Sequence, residues 1–327
     1  MHKLYLGLDI GSYSIKGVVI DNKNNIIVSH TQNIELNMME SFHKLLSYIK
    51  VNLDLNNNYI ANYTITGSGK NIIKNIFTTG LVKNEIDCTK EGVLCIDPNT
   101  EAIIEISNSD SKLITIKEGK LNNYKISNAC DLCNGYFLES LSKKLNTSIE
   151  EMGHLASLSQ RNINLKNNCN VLLEDEIIKK ISRGYDKKDI FSSLFNIIVK
   201  DYIEYFKGIK EINNNIIFVG GLSKCNYLIT EFTKALNKNI MVDKNSSYVT
   251  ALGAAIYAKN NKKQVSFDFN TKNTAMKTKI EVCNKCPVNC EIVSMYIGDE
   301  LVDSFGYNCE KGKINIGKSN YDKSKVS

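Results

Sequence analysis

The chemistry most easily identified in this sequence is metal binding by cysteine. Of the ten cysteines, four lie close together near the end of the chain: Cys283, Cys286, Cys290 and Cys309. The first three are separated by two and three residues, and four thiolates at ligand-like spacing can hold either zinc or a 4Fe–4S cluster. Two strand-like segments, 291–297 and 301–305, are joined by a glycine turn, so we expect a hairpin that returns the fourth cysteine to the others. The pattern predicts a metal site.

A second group of residues, near the start of the chain, is suited to binding a nucleotide. Residues 9–16 read D-I-G-S-Y-S-I-K and connect two predicted strands. Gly11 permits a sharp turn, after which backbone N–H groups, beginning with that of Ser12, can contact phosphate oxygens. Asp9 is placed to hold hydrated Mg²⁺, and Lys16 is placed to neutralise phosphate charge. An ordinary β-hairpin is the alternative interpretation.

A glycine pair later in the chain, Gly220-Gly221, follows a predicted buried strand at 216–219 and precedes a helix. Without side chains, these positions let the backbone approach a purine or a ribose closely. A plain strand-to-helix turn explains the pair equally well when it is considered alone. The two glycine turns together, at this separation along the chain, are typical of an actin-like ATPase core, and they predict ATP with Mg²⁺ as the ligand.

Residues 66–70, T-G-S-G-K, imitate the end of a P-loop. However, Thr64 stands where the first P-loop glycine belongs, and Asn71 replaces the Ser or Thr that would reach Mg²⁺. A P-loop is therefore not expected.

The elements that must position these residues are those of a globular α/β chain. The 327 residues are 43% apolar and 23% charged, which suits two lobes and a small extra module. No apolar run is long enough to cross a bilayer, and the first residues enter a strand without an apolar leader, so a cytoplasmic location is the simplest expectation. Cytosolic thiols stay reduced, and clustered cysteines there indicate metal rather than disulfides. The net charge is +6, but the sequence contains neither an arginine-rich helix nor a surface that combines aromatic and basic residues. Nucleic-acid binding is therefore not expected.

The strand and helix patterns divide the chain into lobes. The first lobe begins with three strands, and the second begins near Pro98 with short strands and continues mainly as helices. The predicted segments are an N-terminal RNase H-like lobe at 1–97, a second lobe at 98–259, a linker at 260–280, a cysteine-rich module at 281–311 and a disordered tail at 312–327.

An ordered series of motifs over roughly residues 4–260 resembles the activators of 2-hydroxyacyl-CoA dehydratases, a family grouped with the ATPase subunits of benzoyl-CoA reductase. Besides the two glycine turns, the matching motifs lie, in chain order, at residues 66–70, 84–86, 105–112, 130–139, 169–178 and 251–255. The resemblance implies an α/β fold of the actin-like ATPase (ASKHA) type, with two RNase H-like lobes and, in this chain, the added cysteine-rich module.

The resemblance also implies a specific activity. Family activators are homodimers that hold one 4Fe–4S cluster between the subunits with two cysteines from each, and these positions correspond to Cys130 and Cys169 here. ATP hydrolysis drives rotation of the lobes, and a low-potential electron from a ferredoxin or flavodoxin-like donor passes to a dehydratase or reductase component. Glu105 and Asp110 of the second phosphate loop would act with Asp9. The redox setting favours a second 4Fe–4S cluster over zinc at the C-terminal cysteines.

The chain departs from the family pattern at the second phosphate loop. Where the family has D-I-G-G-Q-D-S-K, Ser107-Asn108-Ser109 replaces Gly-Gly-Gln, and side chains there are expected to hinder approach to phosphate or to require φ values that serine tolerates poorly. The segment after Cys130 also differs, and Cys133 there is either an extra ligand or a spare thiol. Two alternatives stay open: a non-enzymatic iron–sulfur or nucleotide-binding protein with a degenerate ATPase site, and a small-molecule kinase of the same fold. The kinase alternative leaves both sets of cysteines unexplained.

Overall fold

The computed structural model describes residues 1–35, 37–74, 80–127, 135–166, 169–212, 215–263, 265–269, 276–306 and 309. These residues form two compact units. The first comprises Met1–Lys83 together with the chain from Ala258 onwards, and the second comprises Asn84–Tyr257. This division differs from the boundary expected at 97/98 because the helix that follows Asn84 packs with the second unit.

The first unit is built on a mixed sheet that has five strands in the described residues. Its elements are β1 (His2–Ile10), β2 (Ser14–Ile20), β3 (Ile26–Asn33), α1 (Met38–Val51), β4 (Asn58–Thr66), α2 (Lys70–Lys74) and β5 (Leu81–Val82). The order across the sheet is β3-β2-β1-β4-β5. The first three strands are antiparallel neighbours, whereas β4 is parallel to β1 and β5 is parallel to β4.

Helix α1 shows how the local sequence encodes one of these elements. The side chain of Asn37 caps its first turn by accepting hydrogen bonds from backbone N–H groups. Phe42, Leu45 and Ile49 recur at helical spacing and are fully buried against the sheet. Gly17 of β2 lets the helix approach closely, since a Cβ there would lie 2.6 Å from Cδ1 of Ile49. The spacing of these apolar residues predicts a helix over about 40–53, and the structure confirms it.

The second unit contains another mixed sheet, with helices following its strands. Its elements among the described residues are α3 (Glu85–Ile96), β6 (Ala102–Ile106), β7 (Ser111–Lys117), β8 (Lys120–Ile126), α4 (Gly135–Leu145), α5 (Ile149–Ser157), α6 (Asn170–Ser182), α7 (Lys187–Tyr205), β9 (Ile216–Val219), α8 (Asn226–Leu236), β10 (Ile240–Met241) and α9 (Val249–Asn260). The order is β10-β9-β6-β7-β8, in which β6, β9 and β10 are parallel and β7 and β8 are antiparallel additions.

Helices α3 and α9 cross at unusually short range in the second unit. A Cβ at Gly253 would overlap the carbonyl oxygen of Cys88, so only glycine permits this approach. The buried hydroxyls of Thr89 and Thr250 share a hydrogen bond of 2.8 Å across the same crossing. The crossing fixes α3, whose first residue, Glu85, belongs to the site described below.

The cysteine-rich region adds an antiparallel sheet to the first unit, ordered β11 (Met276–Val282), β12 (Glu291–Ile297) and β13 (Glu300–Phe305). The predicted hairpin of β12 and β13 is confirmed. The prediction of a linker through residue 280 is wrong at its end, because β11 pairs with β12 along its whole length. The basic composition of residues 271–279 predicts a flexible linker there. The tail predicted at 312–327 lies outside the described residues. None of the described helices is both long and apolar enough to cross a membrane.

Candidate functional site

The carboxyl ends of β1 and β4 meet at one edge of the first sheet and bring the predicted phosphate residues together. The two strands are parallel, and Asp9 stands opposite Thr66 in their register. The Asp9 carboxylate is buried, with 6% of the residue exposed, and Nζ of Lys16 lies 3.4 Å from its Oδ2. The strand end therefore holds one acidic and one basic group side by side, as a Mg²⁺–phosphate site requires.

The turn between β1 and β2 has the tight geometry that the sequence predicted. The N–H of Gly11 donates to the carbonyl oxygen of Ser14 at 3.1 Å. A Cβ at Gly11 would lie only 2.8 Å from that oxygen, so the turn requires glycine. Ser12 is exposed at the tip. The strand-turn-strand is compatible both with phosphate binding and with the plain hairpin considered above.

The loop that follows β4, which carries the family motif at residues 66–70, lies against the end of β1. The loop after β4 donates the Gly69 N–H to the carbonyl oxygen of Ile10 at 2.8 Å. Gly67 has a φ of +89°, and a Cβ there would lie 2.7 Å from Oδ1 of Asp9. Only glycine leaves room beside that carboxylate. The loop is not a P-loop, but Gly67 packs against the Asp9 carboxylate, and the family motif at residues 66–70 was the signal in the sequence.

The second phosphate loop, between β6 and β7, is closed by its own side chains. Oγ of Ser107 donates to the Asp110 carboxylate at 2.7 Å, and the Ser107 N–H donates to the Asp110 carbonyl oxygen at 2.9 Å. The Asn108 amide donates to Glu139 at 3.0 Å, which ties the loop to α4. All residues of this loop are described, and none has a positive φ. The expectation of backbone strain at Ser107 is therefore wrong, because the turn uses ordinary conformations.

A buried lysine organises the acidic residues of this loop. The ammonium of Lys112, with 3% of its side chain exposed, pairs with Glu85, with Glu105 at 3.3 Å and with Asp110 at 3.2 Å. Burial alone would lower the pKa of Lys112, but the three carboxylates together raise it above its ordinary value. The hydroxyl of Tyr202 donates to the Lys112 carbonyl oxygen at 2.5 Å, and burial raises the pKa of that phenol well above 10.0. The sequence analysis did not identify this cluster.

The glycine pair after β9 has the backbone freedom that the sequence predicted. Gly220 has a φ of +94°, and a Cβ there would lie 2.9 Å from the carbonyl oxygen of Ile106 at the end of β6. Its N–H donates to the Ser246 carbonyl oxygen at 3.1 Å. A Cβ at Gly221 would meet nothing within 4 Å, so the backbone there is open to a ligand.

Cys169, the predicted ligand of a bridging cluster, lies exposed immediately before α6. Its thiol makes no regular capping hydrogen bond, but the nearby N–H groups of Leu172 and Val171 lower the pKa of Cys169 below its ordinary value. The side chains of Val171 and Leu172 are themselves 76% and 54% exposed. Two exposed apolar side chains therefore lie beside an exposed thiol whose pKa is lowered by nearby backbone N–H groups. Cys130 and Cys133 lie outside the described residues.

Three of the C-terminal cysteines lie in the turn that joins β11 to β12, and Cys309 follows β13. Cys283 and Cys290 are buried, Cys286 is half-buried and Cys309 is exposed. None of the four forms a disulfide with another described cysteine. Over the described ranges, no three His, Cys, Asp or Glu side chains are already grouped as metal ligands. In the described residues, the four predicted ligands are therefore not brought together as a metal site.

Comparison with known proteins places this geometry in context. The model of the BadF/BadG/BcrA/BcrD ATPase family matches residues 6–258. The 2-hydroxyisocaproyl-CoA dehydratase activator of Clostridioides difficile is 27% identical over 77% of this chain and 94% of its own. The (R)-2-hydroxyglutaryl-CoA dehydratase activating ATPase of Acidaminococcus fermentans is 24% identical over 77% of this chain and 96% of its own.

Solved structures show the same likeness. The Clostridium difficile activator with bound ADPNP has a TM-score of 0.69 at 27% identity, and it covers 80% of this chain and 95% of its own. Component A of the Acidaminococcus fermentans (R)-2-hydroxyglutaryl-CoA dehydratase has a TM-score of 0.69 at 22% identity, and the match covers 78% of this chain and 97% of its own. The predicted actin-like ASKHA fold, with two mixed sheets of the RNase H-like type, is thereby confirmed. The family match ends at residue 258, so the cysteine-rich module lies beyond it.

Proposed function

Because the chain belongs to the BadF/BadG/BcrA/BcrD ATPase family, we propose that it is an ATP-dependent electron-transfer activator. In this proposal it is a homodimer with one 4Fe–4S cluster, held by Cys130 and Cys169 of each subunit. Its redox partner is a 2-hydroxyacyl-CoA dehydratase or a related reductase, and its electron donor is a ferredoxin or flavodoxin-like protein. The observation that carries the proposal is the setting of Cys169 on the described surface.

The Cys169 setting fits an iron–sulfur ligand shared between subunits. Iron binds the thiolate rather than the thiol, and the N-terminus of α6 favours the anionic form of this side chain. Contiguous exposed apolar side chains mark interaction surfaces, and Val171 and Leu172 lie beside the thiol. A ligand surrounded by apolar surface suits a cluster that a second subunit covers. When bound, the cluster supplies one-electron transfer.

The nucleotide residues fit the ATP-dependent part of the proposal. Asp9 would orient hydrated Mg²⁺, and Lys16 would neutralise phosphate charge. Gly67 lets the backbone pass close beside the same carboxylate, and the tight turn at Gly11 leaves Ser12 exposed where its N–H could contact phosphate. In the second unit, Gly220 and Gly221 would flank the adenosine, and Glu105 and Asp110 would present carboxylates held in place by Lys112.

A second candidate function is nucleotide binding without appreciable hydrolysis. The specific observation in its favour is the closed loop at Ser107. The Ser107 hydroxyl donates a hydrogen bond of 2.7 Å to the Asp110 carboxylate. A carboxylate that is already bonded to a hydroxyl and to Lys112 is less available to a metal-bound water. This candidate keeps the fold and the cluster and differs only in turnover.

Both candidates can be tested on one sample purified without oxygen. We would measure iron, acid-labile sulfide, the molar mass in solution and ATP hydrolysis for the wild type, Cys169→Ser, and Cys95→Ser as a matched exposed-cysteine control. The activator proposal expects Cys169→Ser to lose about four irons per dimer and to become monomeric, while the control stays dimeric.

The outcomes separate the candidates. Unchanged iron and molar mass in Cys169→Ser would refute the bridging cluster. Cluster-containing dimers that bind ATP but do not hydrolyse it would favour the second candidate. A further variant, Val171→Glu, places a charge on the apolar surface and should weaken the dimer without removing a ligand.

A further inference from the structure

The cysteine-rich module forms a turn whose two ends are held together by the β-sheet. Val282 of β11 pairs with Glu291 of β12, which places the next residues, Cys283 and Cys290, across from each other at the mouth of the hairpin. The Cys283 N–H donates to the Cys290 carbonyl oxygen at 2.8 Å. Both cysteines are buried and pack together with Ile292. Two potential ligands are therefore fixed on one side of the turn.

The remaining two cysteines are led toward this pair by the backbone. Cys286 lies within the turn, where its carbonyl oxygen accepts the Asn289 N–H at 3.3 Å. After β13 the chain passes directly beside Glu291, because Gly306 has a φ of +94° and a Cβ there would overlap the Glu291 carbonyl oxygen. Cys309 follows three residues later, which keeps it within about 10 Å of that point. Three of the thiols thus belong to one turn, and the chain after β13 leads toward it, while the four are not grouped as ligands in the described residues.

Burial as a small core does not account for this arrangement. The described apolar cluster around the turn consists of Cys283, Cys290 and Ile292, whereas Met295 of the same strand packs against the main core of the first unit, so the turn itself has little hydrophobic stabilisation. Cysteines that act only as small apolar side chains would also have no reason to include the half-buried Cys286. Small modules with little core are commonly held together by a metal.

We propose that Cys283, Cys286, Cys290 and Cys309 bind a 4Fe–4S cluster that is separate from the Cys130–Cys169 site. Three ligands from one short turn and one from a distant segment match the ligand pattern of cubane clusters. Structural zinc sites more often use two close pairs of ligands. Each thiol gives up its proton on binding, and the cluster draws Cys286 and Cys309 toward the buried pair. The proposal does not depend on ATP hydrolysis.

The test removes the other predicted cluster first. The full chain carrying Cys130→Ser and Cys169→Ser would be reconstituted without oxygen using ferrous iron and sulfide, with zinc measured in parallel. We expect about four irons per chain and the visible absorbance of an iron–sulfur cluster. Adding Cys286→Ser or, in a second variant, Cys309→Ser should remove both, whereas adding Cys95→Ser should change neither.

Three results would overturn the proposal: zinc in place of iron, no metal in the double variant, or iron that persists when Cys286 is replaced. Because Cys309 is exposed, its substitution should leave folding intact, so loss of iron in that variant reports loss of a ligand. These results do not depend on dimerisation or on ATP hydrolysis. Measurements of those two properties test the function proposed above.

Discussion

The buried Lys112 cluster makes a sharp prediction about stability. Replacing Lys112 with methionine keeps an unbranched side chain one atom shorter but removes the charge that pairs with three carboxylates at once. Two of these carboxylates, Glu85 and Asp110, have side chains about 30% and 26% exposed and can recover water. The Glu105 side chain is 8% exposed and cannot recover it fully. The variant is therefore left with one buried carboxylate that has lost its counter-ion.

The size of the effect follows from that single group. Removing one partner of a buried ion pair costs about 3–5 kcal/mol, and we expect the lower end because two of the three carboxylates are partly solvated. A loss of about 3 kcal/mol corresponds to a fall in Tm of roughly 10 °C for a unit of this size. The same substitution at Lys179, whose pair with Asp175 is more than half exposed, should cost less than about 0.5 kcal/mol.

The pH dependence of the effect has a definite sign. The pKa of Lys112 is raised in the folded protein above its ordinary value of 10.5. Its contribution to stability is therefore fully present below pH 10.5 and is lost as the pH rises above that value. Lys112→Met should lack this alkaline loss. At the acidic end, protonation of the carboxylates removes the charge that Lys112 compensates, so the difference between variant and wild type should shrink as the pH falls.

The assay is thermal and urea unfolding followed by circular dichroism from pH 4 to pH 11, for the wild type, Lys112→Met and Lys179→Met. A destabilisation of Lys112→Met below about 1 kcal/mol at pH 7, or one that does not change with pH, would refute the assignment of Lys112 as counter-ion to Glu105.

Three further outcomes are expected. Gly253→Ala should destabilise the protein by about 2–3 kcal/mol because its Cβ would overlap Cys88, whereas Gly208→Ala, with open space, should not; equal Tm values would contradict the helix crossing. Asp9→Asn should lower ATP hydrolysis about 100-fold in single-turnover assays at unchanged Tm, and retained turnover would remove Asp9 from the site. Asn37→Ala should cost about 1 kcal/mol in urea unfolding through loss of the α1 cap, and no change would argue against that cap.

The sequence by itself determined the features that depend on neighbouring residues. The turn at Gly11, the capped helix α1 and the hairpin of β12 and β13 are each encoded within a few positions, since hydrophobic period and turn chemistry act locally. The order of the family motifs also identified the actin-like fold, because an ordered series of short motifs carries more information than any one of them.

Only the tertiary structure decided which distant residues share a site. Glu85 reaches Lys112 because α3 is fixed against α9, and no local pattern records that crossing. Gly67 lies against Asp9 because β4 is parallel to β1, so a loop that is not a P-loop packs against the predicted Mg²⁺ ligand. The sequence did not indicate β11 because its lysines are exposed, as in a linker. Backbone pairing with β12 is what makes this segment a strand. Pairing, packing and charge compensation act through space, and single-sequence patterns act along the chain.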